Sequence, residues 1–249
     1  MDFLPISLLK VETVADRTKA FFFTKPDGFS FRAGQYVMIR IPSERLVEPD
    51  VRSGMRPISI ASAPGDRELT FVMRAGSTGF KKTMWNLVPG ETIGVGGPLG
   101  NATVPDEESR PIAILCGGVG IAPARSMIRD AVSKGDRRKF VLFSSNRTLR
   151  DVPCHEELLS TDLPGYSYVW TLTKAENEPS QKGEERGYIT AEMIERHLPE
   201  WREALYYVIG APAFADSMKS VLLGMGVVPE NVHMDPFAGL TGSGSKNVA

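Results

Sequence analysis

A glycine-rich turn follows an apolar strand pattern about 110 residues into the chain. Residues 112–116 lead into Gly117, Gly118 and Gly120, and a helical pattern begins at Pro123. Glycines let the backbone turn sharply and approach a ligand, and the free N–H groups of a helix N-terminus attract anions. The pattern predicts a phosphate-binding turn, with an ordinary strand-to-helix turn as the alternative because the G-x-G-x-x-G spacing is incomplete. Since about 110 residues come first, another module must precede this one.

The composition fits one or two domains with cores of ordinary size. Of 249 residues, 42% are hydrophobic and 24% are charged, and the formal net charge is -1. This balance gives no reason to expect nucleic acid or a membrane surface as the main partner. No apolar run reaches the roughly 18 residues of a membrane helix, and the first residues lack a signal-peptide pattern. The expected location is the cytoplasm.

Cysteines and histidines give no support for a metal site. Cys116 and Cys154 are the only two cysteines, fewer than the four thiolates of an iron–sulfur cluster. The three histidines have no histidine partner three or four residues away. We therefore predict no metal, and electrons from a redox reaction would pass to a separate acceptor.

The first hundred residues consist of short β-rich runs between turn residues, which predicts an antiparallel barrel. The predicted strands are residues 21–24, 36–41, 58–61, 69–73 and 92–95. A helical stretch at 80–87, with Ser77 or Thr78 as its N-cap, is expected to close one end of the barrel. A polar, turn-prone segment follows, and we place the domain boundary there, between residues 107 and 108.

The second half alternates strand and helix patterns, which predicts a parallel sheet with helices on both faces. The predicted strands are 112–116, 139–144, 166–172 and 205–209, and the predicted helices are 123–133, 153–159, 190–197 and 212–224. Residues 174–187 are charged and contain glycine and proline, so we expect a solvated excursion. Residues 241–249 are small and polar and are expected to form a flexible tail.

A second informative stretch brings a cation, a rigid turn and a small hydroxyl to the start of a strand. It begins with Arg56, Pro57, Ile58 and Ser59 and runs on to Ser62. An arginine can hold a pyrophosphate through two hydrogen bonds, and a serine can hydrogen-bond a ring nitrogen without crowding it. By itself the stretch could also be a surface arginine before a barrel strand.

Taken in order along the chain, these motifs resemble the ferredoxin–NADP reductase superfamily. An Arg-x-Tyr-Ser-type flavin motif precedes a Gly-Gly-x-Gly-x-x-Pro loop, and further matches lie at residues 33–37, 89–91, 97–100, 207–212 and 235–239. The resemblance implies an antiparallel β-barrel FAD-binding domain at residues 1–107 and an α/β parallel-sheet NAD(P)-binding domain at 108–240. It also implies an FAD-dependent oxidoreductase that transfers hydride between NAD(P)H and the flavin N5.

The resemblance further assigns a role to each matching position. Arg56 would contact the FAD pyrophosphate, with Pro57 adjoining, Ile58 would lie against the flavin or ribityl chain, and Ser59 would approach N5. Further FAD contacts are expected at Val72, Met73, Arg74, Thr78, Gly79, Phe80 and Lys81. The nicotinamide dinucleotide would lie along Gly117, Gly118, Val119, Gly120, Pro123, Gly210 and Pro212. Ser59 and Asp235 are the expected catalytic residues, with an ordinary surface carboxylate as the alternative for Asp235.

The chain departs from the family pattern at three places. Ile58 replaces an aromatic residue of the flavin motif, and Ile209 replaces a cysteine that many relatives place near the nicotinamide. The chain also continues beyond Phe237 instead of ending in an aromatic residue. We expect Phe237 or the tail at 241–249 to cover the flavin.

The nucleotide and the electron acceptor are less constrained. Ser145 and Arg147 follow a predicted strand with no acid before Asp151, which favours the 2′-phosphate of NADPH and leaves NADH open. The implied acceptor is a separate electron carrier, such as ferredoxin, flavodoxin or an oxygenase component. A free-flavin or ferric reductase, and a non-catalytic flavin-binding subunit of a larger complex, are the alternatives.

Overall fold

The computed structural model describes residues 1–106, 109–174 and 183–236, in which two six-stranded sheets follow one another. The first half contains β1 (Leu4–Ala15), β2 (Thr18–Thr24), β3 (Tyr36–Arg40), β4 (Met55–Ser59), β5 (Glu68–Arg74), α1 (Gly79–Asn86) and β6 (Thr92–Leu99). The second half contains β7 (Ile112–Gly117), α2 (Ile121–Lys134), β8 (Phe140–Asn146), α3 (His155–Leu159), β9 (Tyr166–Leu172), β10 (Glu184–Arg186), α4 (Ala191–His197), β11 (Leu205–Gly210), α5 (Pro212–Gly224) and β12 (Val232–Pro236).

The first sheet is antiparallel, in the order β4-β3-β6-β1-β2-β5. An isolated antiparallel bridge joins Ile60, just after β4, to Phe71 on β5. Because β4 and β5 are the two edges of the sheet, this bridge closes it into the predicted barrel. The first turn and the last turn of α1 place Phe80 and Met84 on one face, and both side chains lie in the barrel core.

The second sheet is parallel, in the order β10-β9-β8-β7-β11-β12, and it carries helices on both faces. Consecutive residues of β7 point to opposite sides. Ile114 shares a core with Ile128 of α2, and Leu115 shares another with Met218 of α5. The barrel followed by an α/β domain confirms the predicted fold class.

The barrel and the parallel-sheet domain share a buried surface. Ala20, Ala61 and Val72 of the barrel belong to the same hydrophobic cluster as Met127 of α2. Small side chains on the barrel side let the helix approach the strands closely. The predicted boundary between residues 107 and 108 falls on residues outside the described ranges and stays a prediction.

Three strands, β1, β10 and β12, were not predicted. In β1 the buried Ile6 and Leu8 are mixed with exposed Leu4 and Leu9, which hides the period of two. The edge strand β10 occupies part of the predicted excursion at 174–187, so that prediction is wrong for residues 184–186. The excursion was predicted from charge, and an edge strand tolerates charged residues because one of its sides faces solvent.

The prolines of the two predicted motifs, Pro57 and Pro123, lie inside regular elements. Pro57 was predicted to form a rigid turn, but it lies within β4, which begins at Met55. An edge strand accepts proline because one side of its backbone needs no partner. Pro123 lies in the first turn of α2, where a missing N–H removes no helical hydrogen bond. Within the described residues, none of the helices has the length and apolar character needed to cross a membrane.

Candidate functional site

The strand β4 carries the predicted flavin motif along an edge of the barrel. Its register with β3 pairs Arg56 with Ile39 and Ser59 with Tyr36. Arg56 and Ser59 are both buried, whereas Ile58 is half-buried against the barrel core. Because Arg56 and Ser59 are three residues apart on one strand, their spacing is fixed and their side chains point to opposite faces.

The Arg56 guanidinium is bound by a carboxylate from its own chain. Its Nη2 donates to both oxygens of Asp50, at 2.6 and 2.7 Å, and Nη1 donates to the Met55 carbonyl at 2.6 Å. The Phe80 N–H, in the first turn of α1, donates to Asp50 Oδ2 at 3.0 Å. Asp50 therefore joins the predicted arginine to the predicted helix N-terminus.

The environment of Asp50 favours its charged form. Burial alone would raise its pKa, but hydrogen bonds from the Phe80 and Arg52 N–H groups and from Arg56 hold the pKa below its usual value. Together these N–H groups can donate hydrogen bonds to two negatively charged oxygens. A phosphate group presents the same kind of oxygens, so these residues fit the diphosphate of FAD.

Two more cations surround this set. The pKa of Lys81 is lowered by burial and then by the nearby charges of Arg56 and Arg74. Arg74 reaches from β5 to Asp151 of the second domain at 2.9 Å. Thr78 caps α1 by accepting from the Lys81 N–H at 3.3 Å. The predicted FAD contacts at 74 and 78–81 are thus close to Arg56.

The N-terminus of α1 is not open to solvent as its predicted role would require. A Cβ atom placed on Gly79 would overlap the backbone carbonyl of Glu48, so residues 48–50 lie directly against this glycine. Neighbouring Val72 and Met73 are buried on β5, and Val72 packs at the domain interface. The roles of these residues toward a flavin stay predictions.

The carboxyl ends of β7 and β11 bring the second set of predicted residues together. The two strands are parallel neighbours that pair Cys116 with Ile209, so Gly117 and Gly210 follow side by side. Chain order reverses between these strands, and open α/β sheets bind ligands at such a point. Pro212 begins α5 at this edge and is exposed.

Most glycines of this turn have a packing reason. A Cβ on Gly117 or Gly210 would lie 3.2 or 2.7 Å from the ring of Phe214. A Cβ on Gly120 would overlap the carbonyl of Ile209. Gly118 differs, because its φ is +55° and nothing lies within 4 Å of an added Cβ. Of these four glycines, Gly118 is the one that leaves open space for a ligand.

The remaining predicted nucleotide contacts lie near this turn. Val119 is half-buried and Pro123 is buried in α2. Ser145 pairs with Gly117 across β7 and β8, and the exposed Arg147 lies just beyond the end of β8. An arginine in this position is free to meet a charged group of a nucleotide at the sheet edge.

Asp235 lines a cavity of about 420 Å³ between the two domains. Its strand β12 pairs it with Ile209, and burial raises the pKa of its carboxyl group. The barrel side of the cavity includes Tyr36, the strand partner of Ser59. Asp235 thus lies in this cleft, whereas Ser59 is next to it only through its strand partner Tyr36, so a shared catalytic role stays a prediction. Phe237 and the tail at 241–249 lie outside the described residues.

Two buried hydrogen bonds tie the flavin motif to the helix after the glycine turn. Arg125 Nη1 donates to the Ala61 carbonyl at 2.8 Å, and Ser126 Oγ donates to the Ser62 carbonyl at 2.6 Å. Arg125 also binds Glu157 at 2.7 Å. The sequence analysis missed Arg125, Ser126 and Asp50. None of them lies in a recognised motif, and the fold brings each to a partner that is distant along the chain.

Comparisons with known proteins agree with this architecture. The family model described as the oxidoreductase NAD-binding domain matches residues 114–220. The naphthalene 1,2-dioxygenase system ferredoxin–NAD(P)(+) reductase component of Pseudomonas putida is 29% identical over 216 residues, which is 84% of this chain and 61% of that protein. An NADPH oxidoreductase of Mycobacterium tuberculosis is 30% identical over 230 residues, 88% of this chain and 56% of that protein.

A solved structure shares the whole fold. The ferredoxin NADP+ reductase from Neisseria gonorrhoeae with bound FAD and NADP has a TM-score of 0.79 at 17% identity, and the match covers 95% of this chain and 99% of that one. The chain spans about 60% of the length of the curated relatives that it matches, such as 61% of the naphthalene dioxygenase reductase component. By its sequence matches and its order of domains, the chain is similar to ferredoxin–NADP reductase-like oxidoreductases, and its residues 114–220 match the oxidoreductase NAD-binding domain family.

Proposed function

We propose that the chain is an FAD-dependent NAD(P)H reductase that passes electrons to a separate carrier. The observation that carries this proposal is the direct link between its two motifs. Ser62, three residues after Ser59, is hydrogen-bonded to Ser126, six residues after Gly120. A hydride moves only between closely held rings, so a fixed spacing of the two binding elements is what this reaction needs from the protein.

The barrel supplies the flavin contacts in this proposal. Arg56, Lys81 and the first turn of α1 would hold the diphosphate through charge-assisted hydrogen bonds. Pro57 and Ile58 would support the ring and ribityl chain, and Ser59 would hydrogen-bond the ring near N5. The backbone of residues 72–74 lies on an edge strand and would border the same ligand.

The second domain supplies the nucleotide contacts. Gly118, with its open side, would let the dinucleotide approach the turn between β7 and α2. Residues 119–123 and 210–212 would line its path, and Ser145 with Arg147 would bind a 2′-phosphate, which favours NADPH. Bound FAD would supply the redox chemistry by accepting a hydride and releasing electrons singly.

The protein itself has little proton transfer to perform in this reaction. Asp235 keeps a carboxyl group in the interdomain cleft, where burial favours its protonated form. This placement supports a role in orienting the nicotinamide or holding a proton there. Ser59 supports a hydrogen-bonding role, because its hydroxyl is fixed by a buried strand.

We propose an iron–sulfur or flavin carrier, or an oxygenase component, as the electron acceptor. The naphthalene dioxygenase relative is the reductase component of such a system. Two cysteines in these 249 residues cannot supply the four thiolates of a cluster, so the acceptor would lie outside this stretch. The cytoplasmic location stays a prediction from the sequence.

Anaerobic titration tests the main proposal. Purified protein, alone and after adding FAD, would be mixed with NADPH or NADH while the flavin absorbance is followed. Bleaching by either nucleotide is the expected result, and it should require a lower concentration of NADPH than of NADH. Failure of both nucleotides to bleach flavin in the presence of protein would refute a reductase.

A free-flavin reductase is the second candidate, favoured by the Asp50 carboxylate on Arg56. It predicts colourless purified protein and a rate that rises with added flavin. A tightly bound prosthetic FAD predicts yellow protein with a rate independent of added FAD.

A further inference from the structure

The chain between β3 and β4 makes an unusual contact with the proposed flavin site. We define the strap as residues 46–54. Leu46 packs on the barrel core at its start, and Gly54 lies against the Ile41 carbonyl at its end. Between these anchors the strap lays the Asp50 side chain, 0% exposed, on Arg56.

We propose that Asp50 is a specificity-determining residue for the flavin, because its carboxylate competes with a flavin phosphate for Arg56 and the N-terminus of α1. The inference rests on the proposed function, in which this set of donors holds the FAD diphosphate. In this arrangement the strap must open before a phosphorylated flavin binds. A flavin without phosphate meets no such competition.

The competition follows from the donors that Asp50 uses. Both of its oxygens lie within 2.7 Å of Arg56 Nη2, and one also accepts from the Phe80 N–H at 3.0 Å. An arginine beside a helix N-terminus is the arrangement that binds a phosphate dianion. A phosphate that takes the Arg56 Nη2 and Phe80 N–H hydrogens must displace Asp50, because two anions cannot share them.

Apart from the packing of Glu48 and Pro49 against Gly79, the strap outside Asp50 makes few contacts with α1. Val51, next to Asp50, is 83% exposed, and Val47 is also exposed. Outside Asp50, the strap is tied to α1 by an exposed Glu48–Lys82 ion pair of 2.6 Å and by the Val47 N–H, which donates to Thr83 at 3.0 Å. Exposed ion pairs contribute little to stability, so the buried Asp50 contact is the main closure.

The surrounding cations favour a diphosphate over the Asp50 carboxylate. Arg56, Lys81 and Arg74 surround the donor set, and Arg74 is already bound to Asp151. With Asp50 in place, one cation is neutralised by the strap. A diphosphate brings more negative charge than Asp50, so FAD can displace the strap, and its apparent affinity is the intrinsic affinity multiplied by the fraction of open molecules.

Flavin titration of variants tests this inference without measuring turnover. Asp50→Asn removes the charge but keeps the shape, and Glu48→Gln removes one charge from the same strap without touching Arg56. FAD and riboflavin binding would be followed by quenching of flavin fluorescence. Asp50→Asn should lower the FAD Kd about tenfold or more, because a charge-assisted contact no longer holds the strap closed. Riboflavin affinity should stay the same, and Glu48→Gln should resemble the wild type.

The outcomes separate this inference from the proposed function. Weaker or unchanged FAD binding by Asp50→Asn, with riboflavin bound normally, would overturn it and make Asp50 a support for Arg56. An equal gain from Glu48→Gln would also overturn it, since general charge would then be the cause. Failure of the wild type to bind either flavin would instead refute the proposed function.

A kinetic measurement on the wild type keeps the inference testable if Asp50→Asn does not fold. The observed rate of FAD association should level off at high FAD concentration, because strap opening becomes limiting. The riboflavin rate should keep rising in proportion to concentration. A linear FAD rate over the same range would overturn the inference.

Discussion

The hydrogen bond from Ser126 to Ser62 offers a direct test of how the two domains are held in register. Both residues are fully buried, and Ser126 Oγ donates to the Ser62 carbonyl at 2.6 Å. Ser126→Ala removes one oxygen and leaves that carbonyl buried without its donor. Such a loss costs about 1–3 kcal/mol. For a chain of this size it corresponds to a fall in Tm of between about 2 and 12 °C.

The matched control lies on the same helix. Ser133 is exposed near the end of α2 and its hydroxyl donates to the Asp130 carbonyl at 2.8 Å, so Ser133→Ala makes the same chemical change outside the interface. Thermal unfolding by circular dichroism gives the Tm of each variant. If Ser126→Ala and Ser133→Ala melt together, the interdomain hydrogen bond does not have the stabilising role argued for it.

A functional consequence accompanies the loss of stability. Ser62 follows the flavin motif and Ser126 follows the glycine turn, so loosening this bond should misalign the two rings. We expect Ser126→Ala to slow flavin reduction by NADPH about three- to tenfold, since small displacements strongly affect hydride transfer. The FAD Kd should change little. Stopped-flow reduction at saturating nucleotide measures the first quantity, and an unchanged rate would contradict the alignment argument.

Three further predictions concern the nucleotide side. Gly120→Ala should destabilise the fold by about 1–3 kcal/mol in chemical denaturation because its Cβ overlaps the Ile209 carbonyl. Gly118→Ala strains the backbone at φ +55° but meets no neighbouring atom, so it should cost less stability and raise the nucleotide KM. Arg147→Ala should raise the KM for NADPH about tenfold and leave that for NADH unchanged, and equal effects on both would contradict 2′-phosphate binding. Burial raises the pKa of Asp235, so the folded protein binds this proton more tightly than the unfolded chain and ionisation destabilises the fold. Asp235→Asn should therefore raise Tm at neutral pH and lose this advantage as the pH falls through the raised pKa toward the ordinary aspartate value of 3.8, which a series of melts would show.

Local signals predicted much of the second domain. Pro212 at the start of α5 and the apolar pattern that follows gave the observed helix, Pro212–Gly224. The strand β9 was also predicted with its observed bounds, because a run of aromatic and β-branched residues is typical of a strand. These features depend on neighbours within a few residues, so a single sequence contains the needed information.

Contacts between distant parts of the chain were beyond the reach of such signals. The strand β12 pairs with β11, and its pattern Val-His-Met-Asp-Pro has too few apolar residues to predict a strand by itself. Asp50 is an ordinary loop acid in the sequence, and only the fold places it against Phe80, 30 residues later. The binding set could be predicted from motifs, whereas its internal competitor could not.

The glycine turn shows why spacing and placement must be weighed together. Gly117 and Gly210 face Phe214, and Gly120 faces a backbone carbonyl, so these three would be required for packing even if no ligand bound. The spacing of glycines is therefore weak support for phosphate binding. The position of the turn is stronger support. Gly118 has open space beside it, and it lies where the strand order of the sheet reverses between β7 and β11. A ligand role for this turn thus depends on one glycine and on the strand order. Gly118→Ala tests it when stability is measured beside the nucleotide KM, because the φ of +55° strains an added side chain even where space is open.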